Sequence, residues 1–211
     1  MPSLEPKISL VSATTGKLEA EHINSQYRLV FSGKDFLIID KPAGSNVHRN
    51  HHESSLVDCI KAELDLDALH LVHRLDDDTS GLLILAKHGQ AAAEFGRLFE
   101  QRQVDKFYLA LASGKPSKKQ GAVIGDLEKT RGGNYRLSRN STNPSRTHFF
   151  SYALLPGKRL YLLKPYTGKT HQLRVVMKSL GVPILGDRRY GPSTTDSDRM
   201  YLHAYALAFS Y

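Results

Sequence analysis

One cysteine, Cys59, stands in 211 residues, so no internal disulfide can form and no cysteine-rich zinc centre can be built. Such scarcity fits a reducing compartment. Long apolar runs are missing as well: Leu82 to Ala86 is the longest uninterrupted aliphatic stretch, far below the ~20 residues a helix needs to cross a bilayer. The opening MPSLEPKISL lacks the apolar core of a signal peptide. A soluble, cytoplasmic protein without membrane contact is expected. Acid is in deficit, 21 Asp and Glu against 29 Lys and Arg, for a net charge of +8. That balance suits a polyanionic partner, and equally a surface charged for solubility. No repeat, low-complexity tract or clear linker interrupts the chain.

The chain does carry enough apolar residues, 40%, to bury a core. Residues 1–26 are weakly patterned and read as an extension; 27–211 read as one domain. YRLVFSGKDFLIIDKPAG (27–44) predicts a strand pair turning near Gly33-Lys34 and stopping at Pro42–Gly44. In SSLVDCIKAELD (54–65), Leu56, Ile60 and Leu64 recur every four residues behind a Ser54 cap, which predicts a helix. A buried strand is expected at 82–87, an amphipathic helix at 90–104 and a strand at 106–114. The Gly- and Lys-rich stretch 115–143 reads as a mobile hairpin, followed by strands at 147–155 and 159–165. Leu173, Val176, Met177 and Leu180 form one stripe of a helix over 170–181, and 201–211 reads as a last strand. Strands and helices mix without a regular βαβ beat, so the expected fold class is α+β: a largely antiparallel, mixed central sheet flanked by helices and loops.

The stretch that asks for an explanation is HLVHRLDDDTSGLLILAK (70–87), where Asp76, Asp77 and Asp78 are crowded between two apolar segments. Adjacent like charges repel and resist desolvation, so such a cluster needs solvent or a cation. Asp76, Asp78, Ser80 and Gly81 fit the opening of a calcium loop. Its twelfth position, however, falls on Lys87 where a bidentate Glu is required, and Leu82–Leu85 offer no oxygen side chains. No metal is expected there. The histidines of HRNHH (His48, His51 and His52) lack a partnering cysteine or an H-E-x-x-H frame, and read as loop residues near a polyanion.

Five ordered segments change the reading of that cluster. HRLDDDTSGLLILAK (73–87), DKFYLALASG (105–114), PYTGKTHQLRVVMKSLGVPILGDRRYG (165–191), FLIIDKPAG (36–44) and LHAYALAF (202–209) resemble, in the right order, the motifs of the RluA family of RNA pseudouridine synthases. Lys169 stands where the family usually has Arg, Val176 where it has His, and the chain stops where relatives commonly run on past a His-Pro. Without room for an S4-type domain before residue 27, the sequence resembles a short, catalytic-domain form.

The resemblance implies a pseudouridine synthase fold and an isomerase that turns a specific uridine of rRNA or tRNA into pseudouridine. The substrate would be a stem-loop with an accessible, flipped-out base, and the enzyme a monomer needing no cofactor and no metal. It assigns the catalytic carboxylate to Asp76, as nucleophile or as general base, routes the sequence leaves open. Asp77 and Asp78 then shape the turn. Tyr108 would stack on the uracil; a half-buried strand tyrosine is the plain alternative. Arg174, about a hundred degrees around the helix from Leu173, would leave the apolar stripe and serve as countercharge to Asp76; a surface arginine is the alternative. Arg74, Thr79, Lys169, His171 and Leu173 complete the expected substrate-binding set. Lys115, Lys118, Lys119, Arg131, Arg136, Arg139 and Arg146 are candidates for phosphate contacts, with Tyr135 as a stacking ring. Two other classes compete: a non-catalytic RNA-binding module of the same fold, and a metal-dependent phosphodiesterase using the three aspartates.

Overall fold

The computed structural model describes residues 27–47, 55–192 and 197–211, together with the backbone of 9–12 and 23–24. The expected extension 1–26 and the histidines His48, His51 and His52 lie largely or wholly outside these residues. The chain divides into two compact units, 1–105 with 205–211, and 106–204.

In the first unit, β1 (Ser9–Ser12) and β2 (Ile23–Asn24) precede β3 (Tyr27–Ser32) and β4 (Phe36–Lys41), which form the expected antiparallel hairpin. Its turn is closed by the Gly33 amide donating to the Phe36 carbonyl at 2.9 Å. Helix α1 (Leu56–Glu63) is capped by Ser55 rather than Ser54, which lies outside the described residues. Ser55 Oγ accepts from the Asp58 amide while the Asp58 carboxylate accepts from the Ser55 amide, a reciprocal cap that satisfies two backbone donors at the helix start. After β5 (His70–Leu71) comes β6 (Ser80–Ala86), buried at every position. An unbroken apolar strand of this kind has both faces covered. Helix α2 (Gly89–Glu100) presents Ala91, Phe95 and Leu98 to the core. It stops four residues before the expected end, because Arg102 turns left-handed at φ 58° and the Gln103 amide reaches back to the Leu98 carbonyl. Strand order here runs β2-β3-β4-β6, with β5 also on β6.

The second unit contains β7 (Asp105–Ser113, from Lys106 onward), β8 (Gln120–Lys129), β9 (Tyr135–Ser138), β10 (Ser145–Leu155), β11 (Lys158–Pro165) and α3 (Gln172–Ser179). Their order is β7-β11-β10-β8-β9, and the pairings of β11 with β7 and β10, and of β8 with β10 and β9, are antiparallel. Within the stretch 115–143, expected as a mobile hairpin, β8 turns back antiparallel onto β9, and β8 also pairs with β10. Its crossing point requires Gly125, where a Cβ would stand 2.4 Å from the Ser138 carbonyl oxygen. Side chains alternate up to the register shift between Ala153 and Leu155 of β10. Ala110, Ala112, Val123, Phe149, Tyr161 and Leu163 pack with Leu173, Val176 and Met177 of α3 in one core, and the residues between them face away. The last strand, β12 (Leu202–Phe209), begins in the second unit and ends in the first, where Ala206–Phe209 pair with β1. The fold class is α+β, as expected.

Candidate functional site

In the first unit the aspartate cluster forms a tight turn built over a buried lysine. His73 leads into it, its Nε2 accepting from the Ile84 amide at 2.9 Å, so the segment is pinned to the middle of β6. Leu75 and Thr79 are buried, Arg74 is exposed, and the Thr79 amide closes the turn on the Asp76 carbonyl at 2.9 Å. The three carboxylates are not equivalent: Asp77 and Asp78 are exposed, whereas Asp76 is half-buried between Leu75 and Thr79.

Beneath the turn lies Lys41, wholly buried. Its Nζ donates to the carbonyls of Asp77 at 2.8 Å, Ser45 at 2.9 Å and Pro42 at 3.0 Å. The Asp77 carbonyl also accepts the Gly44 amide at 2.9 Å. One ammonium therefore joins the loop after β4 to the aspartate turn with all three of its hydrogens. Burial pushes the lysine down to about 8, and the nearby charges of Asp77, Asp78 and Asp76 partly offset that fall. Sequence reasoning missed Lys41, which reads as the polar end of FLIIDK; its place in the quoted motif was the available signal. Among the described residues, no group of three or more His, Cys, Asp or Glu is placed to hold a metal ion.

The second unit contains the other expected residues, and its centre is Arg174. The sequence led us to expect this side chain to leave the apolar stripe; instead Gln172 to Met177 are all buried. What makes that tolerable is Asp187, itself fully buried, whose carboxylate accepts Arg174 Nε at 2.8 Å and Nη2 at 2.7 Å. The amides of Arg189 and Tyr190 donate to the same carboxylate at 2.9 and 3.0 Å. Burial pushes the Asp187 carboxyl up, but the guanidinium and the two amides outweigh it and hold the group below its usual range. Gly186 lets the chain enter this turn: at φ +77° a Cβ would fall 1.8 Å from the Arg199 carbonyl oxygen. Asp187 was also missed, although it sits in the quoted GDRRYG.

The loop before α3 is organised by a second buried polar residue, Gln172. Its Oε1 accepts from Thr167 Oγ1 at 2.7 Å and from the Lys169 amide at 3.1 Å, while its Nε2 donates to Thr147 Oγ1 at 2.9 Å and the Arg146 carbonyl at 3.2 Å. Lys169 Nζ donates to the Asn143 carbonyl. His171 turns left-handed at φ 54° and brings Nδ1 to 2.8 Å from the Tyr190 hydroxyl, which accepts the Tyr135 amide at 3.0 Å. Leu173 is a core residue. Tyr108, opposite Leu163, is half-buried against that core. Thus Lys169, His171, Leu173 and Arg174 share one loop and helix with Tyr108 on the adjoining sheet, and Arg74, Asp76 and Thr79 share the turn of the first unit.

Comparison with known proteins agrees with these motifs. The sequence profile of the family described as RNA pseudouridylate synthase matches residues 35–179. An uncharacterized RNA pseudouridine synthase of Haemophilus influenzae is 50% identical over 186 residues, which cover 88% of this chain and 83% of that protein. The ribosomal large subunit pseudouridine synthase C of Rickettsia conorii is 32% identical over 218 residues, covering 100% and 71%. Among solved structures, human RNA pseudouridylate synthase domain containing 1 superposes with a TM-score of 0.74 at 30% identity, covering 86% of this chain and 77% of that one. The matched profile spans both the aspartate turn and Arg174, and the chain belongs to the RNA pseudouridylate synthases of RluA type, isomerases that act on RNA.

Proposed function

We propose that the protein converts one specific uridine of a structured ribosomal or transfer RNA to pseudouridine, with Asp76 as the reacting carboxylate. The name of the Rickettsia relative favours the large ribosomal subunit. The observation that carries the reading is the inequality of the three aspartates: only Asp76 is drawn in from solvent, on a turn whose backbone is fixed from below by Lys41. A reacting carboxylate needs that fixed aim, and shape-giving neighbours do not.

The reaction breaks the bond between ribose C1′ and uracil N1, turns the base and joins C1′ to C5. The C5 proton is lost and N1 gains one, so atoms and electrons balance with no added group. Asp76 either attacks the nucleoside or removes a ribose proton. Tyr108 stacks on the uracil, Arg174 orients the carboxylate, and Arg74, Thr79, Lys169, His171 and Leu173 hold the substrate. In this proposal residues 27–211 are the catalytic domain, 1–26 an extension, and the enzyme acts as a cytoplasmic monomer without metal or cofactor. Pseudouridine mapping of total RNA from cells expressing wild type, Asp76→Asn or no protein tests it. One site should be modified by wild type alone; modification by Asp76→Asn would remove Asp76 from the chemistry.

A further inference from the structure

The sheet of the second unit has one face covered by α3 and another that no described helix of that unit covers. The outward residues of β10 and β11 are paired across the sheet: Tyr152 with Leu160, Phe150 with Leu162, and His148 with Lys164. Phe150 is 41% exposed and Tyr152 55%. Such rings offer flat faces on which another ring can stack.

Toward the strand ends that lead into α3, this face becomes cationic as well as aromatic. The Arg146 guanidinium lies 5.1 Å over the Tyr166 ring. Lys164 Nζ lies 5.3 Å from the same ring and 5.1 Å from that of Phe107. His148 meets Tyr166 edge-on at 4.9 Å, with its Nε2 3.3 Å from Arg146 Nη2. On this face β10 and β11 supply Arg146, Lys158 and Lys164, and neither strand has an Asp or Glu; the single carboxylate of β7 is Asp105, at its first position.

We infer that this face, centred on Arg146, His148, Lys164 and Tyr166 with Phe107 beside them, is a stacking platform for unpaired RNA flanking the target uridine. Cations between open rings match a strand that presents a phosphate and a base at each step, and a flat ring can stack on a base only when the base is unpaired. A short route also leads there from the substrate-binding loop. The Arg146 carbonyl accepts the Tyr166 amide at 2.9 Å and Gln172 Nε2 at 3.2 Å, so the platform begins where the loop carrying Lys169 and His171 leaves the sheet. RNA leaving that loop has only to round the strand ends. The inference rests on the chain acting on RNA and adds a surface that the reaction itself does not require.

The test uses the whole chain and a 4-thiouridine-bearing oligouridylate of about 20 nucleotides. Photo-crosslinks should map to peptides containing 146–152 and 162–166. Tyr166→Leu should weaken binding about tenfold with an unchanged salt slope, because it removes stacking alone. Arg146→Gln should lower the log–log salt slope by about 0.7. Circular dichroism melting of both variants should match wild type. Crosslinks confined to other surfaces, or full affinity in both variants, would overturn the platform. Sedimentation showing concentration-dependent self-association that Tyr166→Leu abolishes would also overturn it, assigning the face to a second copy of the chain. Wild type that crosslinks here but isomerises no cellular uridine would leave the platform standing and overturn the proposed function instead.

Discussion

Arg174 of α3 and Asp187 form a two-pronged buried ion pair, Nε and Nη2 against the two carboxylate oxygens at 2.8 and 2.7 Å, at a helix position that periodicity sets outside the apolar stripe. The planar fork of arginine and the flat carboxylate fix each other in one orientation. Removing one partner leaves the other charged and dry. Asp187→Asn should therefore cost about 3 kcal/mol of stability and at least tenfold in single-turnover rate. Adding Arg174→Met should restore much of the melting temperature and none of the turnover. Stability and activity recovering together would show that the pair only packs.

Asp76→Asn preserves shape and removes charge, so RNA binding should persist while turnover disappears. Asp77→Asn should keep at least partial activity, since its carboxylate is exposed and its structural work is done by the backbone carbonyl that Lys41 and Gly44 share. Single-turnover assays on the same RNA compare the two. Equal loss at both positions would refute a single reacting carboxylate.

Lys41 makes stability depend on pH in a predictable direction. Burial lowers its folded-state value from 10.5 to about 8, so between these values the unfolded chain holds a proton that the folded chain does not. Stability from this group must then rise with pH across that window, by no more than about 1.4 kcal/mol per unit. Other groups cancel when wild type is compared with Lys41→Met. The difference in unfolding free energy should grow in favour of wild type from pH 8 upward, although Lys41→Met is destabilised throughout by its three abandoned carbonyls. A flat difference would mean that the amine keeps its ordinary affinity for protons.

Positive charge on the surface and in the core should separate kinetically. Lys118 and Lys119 are exposed in the connection between β7 and β8. Neutralising both should weaken RNA binding and reduce the salt slope by up to about two, with turnover at saturation nearly unchanged. Arg174→Ala should do the reverse, lowering turnover by orders of magnitude at constant slope. A reduced slope in Arg174→Ala would make that residue a phosphate contact.

The elements themselves were largely legible. Alternation in YRLVFSGKDFLIIDK and the three- and four-residue spacing in THQLRVVMKSL are local signals, and β3, β4 and α3 follow them. What escaped was set by distant chain segments. Arg102 ends α2 through a left-handed turn that its residue type does not announce, and the buried states of Lys41, Gln172 and Arg174 each depend on a partner 13 to 36 residues away. A lysine closing FLIIDK and an arginine beside Leu173 read as solvent-facing because hydropathy counts a charge without its partner. The roles given to Asp76, Tyr108 and Arg174 came from ordered motifs, since spacing alone cannot distinguish a reacting aspartate from its two neighbours.

Lys41 has one more use, as a clock. An amine enclosed by the carbonyls of Pro42, Ser45 and Asp77 is out of reach of acylating reagents until the loop after β4 parts from the aspartate turn. The rate at which a small anhydride labels it therefore counts those partings directly, one chemical mark per opening. If the turn closes on RNA, that clock should slow when substrate is bound, while the exposed lysines 118 and 119 keep their own time.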